Sequence, residues 1–143
     1  MASPASPAFT LAEVVISIAI AGVICGGIVY GYLGSAQNAE WSCYSLAAES
    51  LAMQRIEQAR ATKWDPRGYP PVDELIPANF PVSIEVLDIP TSGTNWVYAT
   101  NVTTITTLSM NPPLKMIRVS CSWAFLTRGT FTNTIVTYRG PDQ

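Results

Sequence analysis

The longest feature of the chain is a run without charge. From Val14 to Leu33, twenty consecutive positions carry no Asp, Glu, Lys or Arg. At about 1.5 Å per helical residue such a run rises about 30 Å, the thickness of a bilayer's hydrocarbon core. The helical pattern continues past it. GSAQNAEWSCYSLAAESLAMQRIEQARATKW contains no Pro and is rich in Ala, Leu, Met, Gln and Glu, all good helix formers. Within it Tyr44, Ala48, Leu51, Ala52, Ile56 and Ala59 recur at three- and four-residue steps and form one apolar stripe. Glu40, Glu49, Arg55, Glu57, Arg60 and Lys63 fall mostly off that stripe. The pattern predicts one helix from about Thr10 to about Thr62, on the order of 80 Å long. Its first half is apolar all round and its second half is amphipathic. DPRGYPP ends it with Pro66, Gly68, Pro70 and Pro71, none of which suits a helix interior.

Beyond this point the period changes to two. Val82, Ile84 and Val86 alternate with Ser83 and Glu85, which predicts a strand with its apolar face on a core. NWVYATNV predicts a second strand, and the Thr-rich stretch to Leu108 a loop. NPP at 111–113 is a break. KMIRVSCSWAFL places Ile117, Val119, Cys121, Trp123 and Phe125 on one face and Arg118, Ser120 and Ser122 on the other. TRGT predicts a turn around Gly129, and FTNTIVTYR a partner strand. The expected fold is α+β: a long N-terminal helix packed on a small antiparallel sheet of about three or four strands. The amphipathic half of the helix is the element with a matching apolar stripe.

Composition narrows the function. The chain has 143 residues, is 48% hydrophobic and 13% charged, and carries a formal net charge of −2. All eight Lys and Arg lie from Arg55 onward. This gives no electrostatic footprint for nucleic acid, and no nucleic-acid partner is expected. There is no His, which excludes Ser-His-Asp and Cys-His nucleophiles and any His-ligated zinc. Asp73–Glu74 and Glu85–Asp88 read as solvated loop acids. Near the C-terminus only Asp142 is acidic, too little for a calcium site. No metal, cofactor or catalytic residue is expected, so the chain is read as not an enzyme. Cys25 lies in the apolar run, leaving Cys43 and Cys121 as one candidate disulfide beside the alternative that both are small buried residues.

Glu13 stands at the front edge of the apolar run. Thr10-Leu11-Ala12-Glu13 fits a capping box, with Thr10 as the cap and Glu13 reaching back to its amide. An acid also suits the first turn of a helix. Capping leaves unexplained the eight small residues before Phe9 and the cost of an ionisable group at the hydrocarbon boundary. A cut between Ala8 and Phe9 would supply a partner. The new amine at Phe9 would lie within about one turn of Glu13, and between stacked chains the pair would set one subunit's height against the next.

AFTLAEVVISIAI closely resembles the N-terminal signature of type IV pilins and type II secretion pseudopilins. The match is a small residue, then Phe-Thr-Leu-x-Glu-Val, then an apolar helix. The resemblance implies that a membrane prepilin peptidase cuts between Ala8 and Phe9 and methylates the Phe9 amine, and that Glu13 guides assembly of a helical filament. The family usually has Gly where this chain has Ala8, and Lys or Arg in the leader where MASPASPA has none. LKMIRVSCSWAF, a turn and NTIVTYR resemble the C-terminal strands of minor PilV-type pilins and pseudopilin I-type subunits. The implied organisation is a leader at 1–8, a membrane and assembly segment at 9–34, and a globular domain at 35–143. The implied site is the inner membrane of a bacterium, single-pass, with the N-terminus cytoplasmic and the globular domain periplasmic, and then a filament. The implied partners are membrane lipid, other pilin or pseudopilin subunits, the peptidase and an inner-membrane assembly platform. Gly22/Gly26 and Gly27/Gly31 each have the GxxxG spacing of closely packed helices. With Gly34 they are read either as close packing, as local melting of the helix, or as the ordinary glycine content of membrane helices. The alternative overall is a secreted or membrane-anchored binding domain whose ordinary signal peptide is cut near Ala36, after Gly34-Ser35-Ala36.

Overall fold

The computed structural model describes residues 10–89, 96–125 and 128–142. Helix α1 spans Leu11–Ala61, 51 residues in one element. It stays helical through Gly22, Gly26, Gly27, Gly31 and Gly34. Each glycine costs about 1 kcal/mol of propensity against Ala, yet the run is flanked on both sides by strong helix formers. The helix is therefore continuous across all five glycines. The chain forms two compact units: the first ends at Glu40 and the second begins at Trp41.

In the second unit α1 ends at Ala61 and is followed by a two-stranded ribbon, β1 (Trp64–Asp65) and β2 (Val72–Asp73). A short 3-10 turn follows at Pro77–Asn79. Then come β3 (Ser83–Val86), β4 (Tyr98–Met110), β5 (Pro113–Ala124) and β6 (Thr130–Arg139). They form one antiparallel sheet in the order β3-β4-β5-β6. The α+β expectation, with a helix packed on a four-stranded antiparallel sheet, is the architecture observed. At the β5–β6 turn Gly129 has φ +106°, a left-handed conformation that glycine adopts without steric cost. The Phe125 amide donates to its carbonyl at 3.0 Å.

The expected stripe is the buried one. Tyr44, Ala48, Ala52, Ile56 and Ala59 are buried, with Leu51 packed at the margin. They meet Ile117, Val119, Cys121, Trp123 and Phe125 in a single core. Tyr44 and Phe125 are edge to face at 5.1 Å.

Two expectations are corrected. The Thr-rich stretch is strand, not loop: β4 is 13 residues long, with a bulge between Thr107 and Ser109. Threonine is β-branched and suits a strand, and pairing with β5 supplies the hydrogen bonds that alternation alone did not reveal. The second correction concerns β3, whose apolar face points away from the core. Val82, Ile84 and Val86 are exposed, Ile84 by 69%. Ser83 and Glu85 lie on the inner side, paired with buried Asn101 and Ala99 of β4. Glu85 meets Arg55 of α1 at 3.6 Å and accepts the Ser83 hydroxyl at 2.7 Å. A period of two separates two faces. Which face turns inward is decided by the partners, and here they are a helix arginine and a polar row.

Candidate functional site

The first turn of α1 is built as its sequence predicts. The Thr10 amide and hydroxyl both donate to Glu13 Oε2, at 2.8 and 2.9 Å. The Glu13 amide in turn donates to Thr10 Oγ1 at 3.3 Å. This reciprocal pair satisfies amides that have no partner within the helix. Among the described residues Glu13 Oε1 accepts nothing, so half the carboxylate remains available. Ala8 and Phe9 lie outside the described residues.

From Leu11 to Leu33 every large apolar side chain is exposed, including Leu11, Ile18, Val23, Ile28, Tyr30 and Tyr32. Exposure runs around the whole circumference. Gly22, Gly26, Gly27, Gly31 and Gly34 each face open space, since an added Cβ would meet nothing within 4 Å. The segment is long and apolar enough to cross a membrane. Among the described residues none of that window is buried.

Of the four acids expected to be solvated, Glu74 and Asp88 are exposed, whereas Glu85 meets Arg55 and Asp73 is engaged. Both oxygens of Asp73 accept from Lys115 Nζ at 2.6 Å. The buried Lys115 ammonium also donates to the Leu75 carbonyl at 2.7 Å and lies 4.9 Å from the centre of the Trp64 ring. Asp142 accepts the Trp64 amide at 2.8 Å and the Arg139 guanidinium at 2.6 Å. These bonds hold its carboxyl below the usual carboxylate range, the backbone amide contributing most. Arg139 also donates to the Ala59 carbonyl at 2.8 Å, satisfying an orphan acceptor in the last turn of α1. These contacts tie the end of the helix to the sheet and the C-terminal segment. A surface cleft of about 860 Å³ is lined by Asp65, Arg67, Ser109, Pro112, Leu114 and Asp142, and within it Asp65 Oδ1 accepts from the Arg67 and Gly68 amides.

The candidate disulfide is not formed. Cys43 is exposed on α1, Cys121 is buried in β5, and all three cysteines are free. Tyr44 takes the inward position beside Cys43, and the helical rotation turns the thiol outward. Burial, with Glu85 nearby, pushes the Cys121 thiol up to about 11, which leaves it inert. Sequence reasoning missed Lys115, Arg139 and the tyrosines at the end of the apolar run. The first two have partners 40 or more residues away. The tyrosines were visible as aromatics at a hydrophobic-to-polar boundary. Comparison with protein-family models, curated proteins and solved structures finds no match for the chain.

Proposed function

We propose that the chain is a minor pilin or pseudopilin subunit whose work is assembly rather than turnover. Prepilin peptidase removes residues 1–8 and methylates the Phe9 amine. The apolar half of α1 sits in the bacterial inner membrane and then packs among its counterparts in a type IV pilus or type II secretion pseudopilus. The observation that carries this reading is the complete exposure of the apolar side chains between Leu11 and Leu33. Soluble proteins rarely leave so large an apolar surface uncovered, so lipid or neighbouring helices must cover it. Open glycines favour the second state, because they let helices approach closely.

Glu13 serves both states. Its Oε2 completes the capping box with Thr10, which keeps part of its charge satisfied at the membrane boundary. Its Oε1, which accepts nothing among the described residues, is available to the Phe9 amine of a neighbour. An ion pair formed there sets register, because a misplaced subunit leaves both charges unpaired in an apolar setting.

Glu13→Ala tests the role. Removing an acid makes the span more apolar, so the variant should insert normally. It should enter filaments poorly, and Glu13→Asp should be intermediate. Assembly of Glu13→Ala at the wild-type level would reduce Glu13 to a helix cap.

A further inference from the structure

We propose that Tyr30 and Tyr32 are depth anchors that fix the level of α1 against the headgroup region of a bilayer, at the interface opposite Glu13. The inference rests on the membrane reading above and deepens it by naming the residues that meet the lipid headgroups. Tyr30 is 83% exposed and Tyr32 is 73% exposed. They close the apolar run. Gly34, Ser35, Gln37, Asn38 and Glu40 follow, and the chain is polar from there. Along the helix the two rings stand about 25–29 Å from Glu13, close to the roughly 30 Å hydrocarbon thickness. A carboxylate at one end and two phenols at the other therefore bracket the span.

The chemistry fits that position. A tyrosine ring is an apolar body with a polar tip, and such rings concentrate where hydrocarbon meets water. Two residues along a helix turn through about 200°, so the rings lie on nearly opposite sides. A single protein neighbour cannot cover both, whereas a lipid interface surrounds the helix and meets both at one depth. Tyr30 is also unobstructed. The residues three and four positions before it and four after it are Gly27, Gly26 and Gly34, and nothing lies near any of them. Its ring is free to place the hydroxyl among headgroups.

The test uses the full chain in phosphatidylcholine vesicles, with one cysteine added at each of positions 33 to 38 in a Cys25→Ser, Cys43→Ser background that keeps only the buried Cys121. Reaction with a water-soluble maleimide should rise sharply within this window, marking the interface. With Tyr30→Leu and Tyr32→Leu together the step should move toward the C-terminus by about two residues, because the apolar run has been lengthened. With both replaced by Trp, which keeps a polar tip, the step should stay in place. An unmoved step in the leucine variant overturns the proposal, and with reduced filament entry it assigns the rings to neighbouring chains instead. An equal movement in the tryptophan variant overturns it as well. A Cys43→Ser chain that keeps Cys25 separates the two levels of inference: if Cys25 reacts in vesicles as fast as in detergent-free solution, no span exists and the membrane reading falls too.

Discussion

Helix α1 is one element with two kinds of surface. Between Leu11 and Leu33 its apolar residues point outward in every direction and none is buried. Between Tyr44 and Ala59 it buries one stripe on the sheet and leaves the other side to water. Backbone geometry is the same in both halves. What differs is whether the side chains are covered: the chain buries them in the second half, and they stand exposed in the first, where the proposed reading has lipid or other chains cover them. The stability of the domain therefore belongs to the second half, and under the proposed function the interactions with other molecules belong to the first. Substitutions should divide along that line.

The largest effect should come from the core. A fragment beginning at Gln37 should melt cooperatively, with the same midpoint in the presence of a chelator. Trp123 is only 2% exposed, and Trp123→Ala in that fragment should cost about 3–5 kcal/mol, a large part of the ~5–15 kcal/mol typical of a domain. An unchanged melting temperature would place the ring outside the core. Ile24→Ala in the full chain should leave the melting of the globular unit unaltered, since Ile24 is exposed.

A smaller loss should follow Asp73→Ala, which strips the buried Lys115 of its carboxylate. Denaturant unfolding should show about 1–3 kcal/mol. Asp142 adds a dependence on pH with a defined sign. Its folded carboxyl titrates below the usual range, so its contribution is present above the unfolded value of about 3.9 and is lost as pH falls through the lower folded value. The melting temperature should drop in that acid window, and Asp142→Asn should remove that component of the drop.

Much of this was legible in the chain. The helix was expected from about Thr10 to about Thr62 and runs Leu11–Ala61, because a long periodic run overrides local noise. The inward face of β5 was legible for the same reason. The facing of β3 was not, since alternation carries no sign and the deciding partner, Arg55, lies 30 residues earlier. The extent of β4 was hidden because its threonines show no apolar alternation. The separation of Cys43 from Cys121 followed from helical rotation rather than from their count.

The smallest effects should be found at open positions. Gly26→Leu should leave the single chain in micelles as helical as wild type, because nothing lies within 4 Å of the added Cβ. Its cost should appear only as poorer packing with other copies. In the folded domain Cys43 should alkylate readily at pH 8. Cys121, buried with its thiol pushed up to about 11, should react at least ~100-fold more slowly.

The division of labour along α1 is tested most directly at its beginning. Mass spectrometry of the N-terminal peptide from protein expressed in a bacterium with a prepilin peptidase should find a chain that starts at Phe9 with a methylated amine. A chain that starts at Gln37 would mean that the apolar half is a discarded signal peptide, and the proposed subunit role would be lost with it.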